Sequence, residues 1–282
     1  MRHIDTSSIN VPADWLLLSK NKFGNTYPNL WSYFRESFED IVGKKCWYSE
    51  SKNLGSVNPI DHFRPKAAKI KKLTNVNADL DNSFWQQMDC NSRLGYTFLE
   101  FEFSNYRYSC TISNSLGHAT SSSPKAKGKS NFFPLKIGSP YANSLASLHT
   151  EIVCLLDPCK QADVEKLSFN DLGEIEPHKS LKIDSWEYCQ VKVSIELYHL
   201  HYYRFTETRK ENWDFCKNRI RLIDKYSKKS IEEECVINYI DDLKKSIKKD
   251  SEFSAVAVDC IRLHKKQYSW LEDLFPEAQL LK

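Results

Sequence analysis

The chain has 282 residues, of which 41% are hydrophobic and 13% aromatic, and its formal net charge is +3. This length can bury one good core with additions or two small domains. The composition excludes a disordered chain, and the nearly balanced charge gives no sign of a protein that coats nucleic acid non-specifically. The nine cysteines lack regular spacing, the start lacks an apolar signal segment, and no run approaches the ~18 apolar residues of a membrane span. We therefore expect a protein of the reduced cytoplasm with no membrane partner.

The amino-terminal part predicts a leader followed by one helix. Residues 1–20 indicate an extended segment with a short apolar patch at 15–18. Apolar side chains then recur three and four residues apart over 28–42, which is the spacing of an amphipathic helix, and Gly43 is placed to end it. We assign residues 1–43 to an N-terminal leader and helix.

An acid stands directly beside a histidine at Asp61 and His62. A short strand is predicted to carry both residues, and Pro65 prevents that strand from continuing as a central one. A carboxylate that binds a hard divalent cation, next to an imidazole that takes a proton from water, is what phosphodiester cleavage needs. Taken alone, Asp61 could equally cap a turn or pair with Arg64 or Lys66, and His62 could be a packed core imidazole.

Two stretches after this pair predict loops. Residues 74–92 are polar and rich in Asn and Asp, and residues 115–130 are rich in Ser, Gly and Lys and poor in apolar side chains. Such compositions disfavour both helical and strand periodicity. We expect both stretches to be loops, the second of them mobile.

Two segments on either side of the Asp-His pair each contain a cysteine followed three residues later by a serine. They are Cys46 with Ser49, and Cys110 with Ser113. Four cysteines at these positions would indicate a four-thiolate zinc knuckle. A serine hydroxyl is a poor zinc ligand at neutral pH because its proton is hard to remove, and two cysteines alone cannot fill a tetrahedral site. We therefore predict that structural zinc is absent and that packing and hydrogen bonds join the two segments.

From about residue 183 the pattern changes to helix. Apolar side chains recur at helical spacing while Glu and Lys fill the opposite faces. The simplest interpretation of these faces is core and surface, and the functional one is a platform for a partner. We therefore divide the chain into the leader and helix, a central domain over 44–180, and a helical partner-docking region over 181–282.

The motifs, in this order, resemble the HNH nuclease subunit of Septu-type anti-phage defence systems, the PtuB family, which also occurs attached to retrons. The resemblance covers roughly residues 30–180. Its most specific element is the string Asp-His-Phe-Arg-Pro-Lys. The segments that carry the resemblance are residues 46–50, 61–66, 105–114, 127–135 and 155–160. Ser49 and Ser113 depart from the family pattern, in which both positions are cysteines.

The resemblance implies a fold class and a set of roles. The fold would be α+β, with a ββα-metal HNH nuclease core between the N-terminal helix and the C-terminal helical region. Asp61 would coordinate one Mg²⁺ or Mn²⁺ ion, and Asn114, near the start of the helix of that core, would complete the coordination through its amide oxygen. His62 would be the general base. Asn105 would tie the loop between the strands and hold the backbone of the histidine in place. Asn105 and Asn114 could otherwise be ordinary turn residues.

Basic residues cluster around the same motifs and predict contacts with nucleic acid. Lysines near a phosphodiester site neutralise phosphates and make binding dependent on salt. The candidates are Arg64, Lys66, Lys127 and Lys129. For each of them, a solvated surface position is an equally open interpretation.

The resemblance also implies partners. An ATPase subunit would supply ATP hydrolysis, since the chain has no Gly-x-x-x-x-Gly-Lys-Ser/Thr loop. A retron reverse transcriptase and its RNA–DNA product are further possible partners. The expected function is a metal-dependent HNH endonuclease that acts on DNA or on RNA such as tRNA, as the effector of a bacterial anti-phage complex. The alternative is a catalytically silent scaffold that uses its helical region to assemble the complex.

Overall fold

The structure is a computed structural model, and it describes residues 1–15, 30–53, 55, 57–117, 125–227, 233–276 and 278. Within these residues the chain is an α+β protein, as predicted, in which helices combine with short antiparallel strand pairs. Parts of three predicted segments lie outside the described residues, at 16–18, 28–29 and 118–124. No helix in the described ranges is both long and apolar enough to cross a membrane.

An amino-terminal helix packs against the strands that carry the Asp-His motif. A 3-10 turn, Leu30–Phe34, leads into α1, Arg35–Val42. Gly43 follows with φ of 71°, a left-handed conformation that glycine adopts at little cost and that ends the helix. The buried ring of Phe34 lies 6.0 Å, centroid to centroid, from the ring of Tyr106. The predicted amphipathic helix is therefore confirmed from residue 30 onward, although its first turn is a 3-10 turn.

The Asp-His motif lies on a short antiparallel strand pair. Strand β1, Ile60–His62, pairs with β5, Tyr106–Tyr108, so that Asp61 lies opposite Arg107 and His62 opposite the first residue of β5. All residues of both strands are buried. The predicted strand that carries the motif is confirmed.

The chain between β1 and β5 contains further short elements, one of which pairs with a strand after β5. Strand β2, Lys69–Ile70, pairs with β4, Arg93–Leu94, and strand β3, Met88–Asp89, pairs with β6, Leu135–Lys136. A one-turn helix, α2, Asn82–Trp85, precedes β3. The prediction of a loop over 74–92 is therefore wrong in part. The stretch is polar overall, but Phe84 and Met88 within it are buried in the core, and their burial stabilises these elements.

A one-turn helix, α3, Thr111–Asn114, follows β5. Asn114 is its last residue, so the expectation that Asn114 lies near the start of a helix is wrong for this short element. The chain returns past the end of α3 at Gly128, whose φ is 126°. A Cβ at Gly128 would lie 2.1 Å from the backbone oxygen of Ser115, so only glycine allows this close approach.

The remaining elements form a hairpin and a helical region. The hairpin follows a one-turn helix, α4, Gln161–Val164, and pairs β7, Leu167–Phe169, with β8, Ile175–Pro177. The described helices after it are α5, Trp186–Leu197; α6, Tyr203–Ser227; α7, Glu233–Ser246; α8, Ser254–Lys265; and α9, Trp270–Leu274. The larger hydrophobic cluster joins Phe63 near the Asp-His motif to Trp213 of α6 and Val256 of α8. The helical region therefore shares a core with the central part of the chain.

Candidate active site

The three residues predicted to bind metal or accept a proton line one open cavity of about 530 Å³. Strand β1 contributes Asp61 and His62, and the end of α3 contributes Asn114. The rest of the lining comes from the 3-10 turn before α1, from β1 and the chain that follows it, from the two residues after α3 and from the chain returning after Gly128. These lining residues are Trp31, Ile60, Pro65, Lys66, Lys71, Ser115, Leu116, Ser130 and Asn131. The fold thus brings together residues that lie far apart in the sequence.

His62 is held by one carbonyl group and two aromatic rings. Its Nε2 lies 2.9 Å from the backbone oxygen of Glu100, and the hydroxyl of Tyr106 donates to the same oxygen at 2.9 Å. A carbonyl oxygen only accepts, so Nε2 carries the proton and Nδ1 is left as the acceptor. The rings of Trp31 and Tyr106 both meet the imidazole edge-on, at 5.0 Å and 82°. The ring therefore has one tautomer and one orientation.

Burial decides the protonation of this imidazole. His62 is only 6% exposed. This burial lowers the pKa of His62 to about 4, more than the carbonyl of Glu100 and the carboxylate of Asp61 raise it. The unperturbed value near 6.5, on which the sequence prediction relied, does not apply in this environment. The imidazole is therefore neutral at pH 7, and the lowered pKa makes it a weaker proton acceptor than a free imidazole.

Asp61 has its ion-pair partner inside the protein. Its carboxylate accepts from the hydroxyl of Tyr48 at 2.9 Å and from the ammonium of Lys129 at 3.0 Å, and the same ammonium lies 2.9 Å from the other carboxylate oxygen. The sequence had suggested Arg64 or Lys66 as the partner. Both of those residues pair elsewhere, as described below, because the strand directs Asp61 towards the chain returning after Gly128.

Asn105 lies outside the cavity and holds the chain that leaves β1. Its Oδ1 accepts from the backbone N–H of Arg64 at 2.8 Å, and its Nδ2 donates to the backbone oxygen of the same residue at 2.9 Å. The backbone of Phe63 also donates to the oxygen of Asn105, at 2.8 Å. One side chain thus satisfies both backbone groups of Arg64 and fixes the turn that follows His62.

Replacing Asn105 with alanine is expected to lower the free energy of unfolding by about 2–4 kcal/mol, because two backbone groups of Arg64 lose their partners. Urea unfolding followed by circular dichroism measures the change. The control is Asn218→Ala at an exposed position on α6, where little change is expected. A stability for Asn105→Ala within ~0.5 kcal/mol of the wild type would contradict the positioning role.

The donors in the cavity fit a hard cation that keeps most of its own water. Asp61 offers a carboxylate and Asn114 an amide, and oxygen donors of this kind suit Mg²⁺ or Mn²⁺. Among the residues that the structure describes, no group of three or more His, Cys, Asp or Glu side chains could hold a metal ion. The protein itself thus offers two oxygen donors at this place, and the binding of one divalent ion stays a prediction.

The two Cys/Ser segments meet, as the sequence predicted, and all four side chains are buried. The hydroxyl of Ser49 lies 3.7 Å from the sulfur of Cys110, which lies 3.5 Å from the hydroxyl of Ser113. Burial raises the pKa of the Cys46 thiol, but hydrogen bonds from Cys110 and Ser49 outweigh it and bring that pKa to about 6. Hydrogen bonds thus join the two segments. Two hydroxyls stand where a four-thiolate zinc site would need thiolates, which is why we predict that zinc is absent. The absence of zinc stays a prediction.

Only one of the four predicted nucleic-acid contacts faces the cavity. Lys66 lines it, with its ammonium 3.6 Å from the ring centroid of Trp31 and 2.6 Å from Glu100. The exposed Lys71 lies beside it.

The other three candidates pair with carboxylates. Arg64 pairs with Glu151 at 2.9 Å, and Lys127 pairs with Glu196 at 2.9 Å. Lys129 is fully buried against Asp61. A surface role for Lys129 is therefore wrong, because its ammonium does not reach solvent.

Sequence reasoning missed the residues that hold the two central side chains. Tyr48 lies inside a segment that we interpreted only for its cysteine and serine, although a tyrosine between them was a visible signal. Trp31 belongs to the predicted amphipathic helix, where an aromatic residue is expected simply to be core. Glu100 acts through its backbone oxygen, for which the sequence gives no signal.

The chain is similar in sequence to a known protein. It is 28% identical over 200 residues to the Septu protein PtuB of Bacillus mycoides (strain KBAB4). The match covers 68% of this chain and 57% of that relative, so the chain spans just over half the length of the relative that it matches. No family model and no solved structure matches the chain.

Proposed function

We propose that this chain is a metal-dependent HNH endonuclease that hydrolyses phosphodiester bonds as the effector subunit of a Septu-type anti-phage complex. One observation carries the proposal: Asp61, His62 and Asn114 line a single open cavity, and Nε2 of His62 is held by the backbone oxygen of Glu100. Similarity to the Septu protein PtuB supports the defence role. An ATPase subunit as partner and a retron as part of the system belong to the same proposal.

Each residue of the site has a separate role in the proposed reaction. His62 takes a proton from the attacking water at Nδ1, while Glu100 holds Nε2. Asp61 and Asn114 would hold the divalent cation, which supplies charge stabilisation at the phosphate when bound. Lys66 and Lys71 at the cavity rim offset phosphate charge. Asn105 acts through the backbone by fixing the turn after His62.

A scaffold without activity is the second candidate. The observation that favours it is the buried pair of Asp61 with Lys129, because that pair neutralises the predicted metal ligand. The serines at the zinc-knuckle positions also depart from the nuclease pattern. The helical region after residue 181 would then be the functional part, through contacts with a partner.

The two candidates give different results in one assay. The chain is incubated, alone and with the ATPase subunit of a Septu-type system, with plasmid DNA, single-stranded DNA and tRNA. We expect cleavage of at least one of these in Mg²⁺ and none in excess EDTA. If the chain binds the ATPase but every nucleic acid stays intact, the scaffold is the correct function.

A further inference from the structure

The cation nearest to Asp61 is one that the chain itself supplies. The ammonium of Lys129 has no exposed surface and donates to Asp61 Oδ1 at 3.0 Å and to the backbone oxygen of His62 at 2.7 Å, and it forms an ion pair in which Asp61 Oδ2 lies 2.9 Å away. These hydrogen bonds use two of the three N–H donors of the ammonium. Lys129 therefore joins the carboxylate of Asp61 to the backbone of the proposed general base.

The backbone around Lys129 is fixed on both sides. Its own N–H donates to the oxygen of Ser113 at 2.9 Å, and the N–H of Ser130 donates to the oxygen of Asn114 at 2.6 Å. Gly128 allows the close approach that makes both bonds possible. The lysine is thus anchored to the end of α3, next to the second proposed metal ligand.

Both oxygens of the Asp61 carboxylate already have a partner. Oδ1 accepts from Lys129 and Oδ2 accepts from Tyr48, and the ammonium also lies 2.9 Å from Oδ2. A carboxylate has about four lone-pair sites, so sites remain on both oxygens. A divalent cation that binds one of them comes within about 4–6 Å of the ammonium, a distance at which like charges disfavour each other.

We infer that Lys129 is an internal counter-ion that competes with the divalent cation for Asp61 and sets the affinity of the site for that cation. The inference rests on the proposed metal site. Without nucleic acid, the excess positive charge keeps the affinity for the cation low. A phosphate in the cavity offsets that charge, so the nucleic acid and the cation strengthen each other's binding, each by the same factor.

The first test measures Mn²⁺ binding by electron paramagnetic resonance, without any turnover. The proteins are the wild type, Lys129→Met, Lys129→Arg and Asp61→Asn, with the double variant Asp61→Asn/Lys129→Met as a control. We expect Lys129→Met to bind Mn²⁺ at least about tenfold more tightly than the wild type, because one positive charge beside the ligand is removed. Lys129→Arg keeps the charge and is expected to stay weak. The double variant should show no gain.

A folded Lys129→Met protein that binds Mn²⁺ no more tightly than the wild type would overturn the inference and leave Lys129 with a purely structural role. A gain that persists in the double variant would also overturn it, because the ion would then not depend on Asp61.

A second measurement needs no variant and decides the matter if Lys129→Met does not fold. Mn²⁺ affinity of the wild type is measured with and without a phosphorothioate oligonucleotide that resists cleavage. We expect the oligonucleotide to tighten Mn²⁺ binding about tenfold or more, and an unchanged affinity would overturn the inference. Failure of the proposed function shows itself separately, as absent cleavage with normal Mn²⁺ behaviour.

Discussion

Replacing His62 with alanine is expected to lower the rate of nucleic acid cleavage by about 10²–10⁴-fold, the range typical of losing a general base. The imidazole is neutral and held in one tautomer by Glu100, with Trp31 and Tyr106 against its ring. Alanine removes the proton acceptor and leaves Asp61 and Asn114 in place. Single-turnover cleavage in Mg²⁺, with the ATPase subunit present, measures the chemical step directly.

The matched control is His149→Ala, because His149 is exposed on a 3-10 turn away from the cavity. We expect this variant to cleave at the wild-type rate. Circular dichroism must show that both variants are folded, since His62 packs against two aromatic rings. Equal cleavage by His62→Ala and wild type would remove His62 from the mechanism and favour a different base.

The sequence predicted the parts of the site that depend on local chain order. Asp61 and His62 are adjacent in the sequence, so their nearness needed no tertiary information, although successive side chains of a strand point to opposite faces. The contact between the two Cys/Ser segments was also predicted, from their equal spacing of cysteine and serine. The hydrogen bonds between Asn105 and Arg64 join segment 105–114 to segment 61–66. The family resemblance already implied this link, because it gives Asn105 the role of tying the loop between the strands.

The sequence could not predict which lysine would reach Asp61. Arg64 and Lys66 are close in sequence, but the turn that Asn105 fixes directs Arg64 to Glu151 and leaves Lys66 beside Trp31. Lys129 lies far along the chain and arrives through backbone bonds to the end of α3. Its burial depends on a close backbone approach at Gly128, which no periodicity or composition signals.

In the described residues, the helical region contacts the segment that supports Asp61. The guanidinium of Arg209 on α6 is fully buried and donates to the backbone oxygen of Ser49 at 3.3 Å. The ring of Tyr198 stacks on Tyr48, the residue whose hydroxyl binds Asp61, at 4.1 Å between centroids. A partner that displaces these helices would therefore disturb the support of Asp61. Binding of a partner to these helices would in this way affect Asp61, whether the chain is a nuclease or a scaffold.

Changing both Ser49 and Ser113 to cysteine is expected to create a structural zinc site. Zinc–sulfur bonds of about 2.3 Å in a tetrahedron separate the sulfurs by about 3.8 Å. The present spacings from Cys110, 3.7 Å to Ser49 and 3.5 Å to Ser113, are close to that value. The buried cation of Arg209 would offset part of the charge of four thiolates.

Elemental analysis of Ser49→Cys/Ser113→Cys is expected to give one zinc per chain, against none in the wild type. Because metal binding adds to folding free energy, the melting temperature should rise in zinc and fall again with a chelator. Either single variant supplies only three thiolates and should bind zinc more weakly. The triple variant that also carries Cys46→Ser returns to three thiolates and should lose the gain. Stoichiometric zinc in the wild type would show that two hydroxyls suffice, and a zinc-free double variant would show that the four side chains do not share one centre.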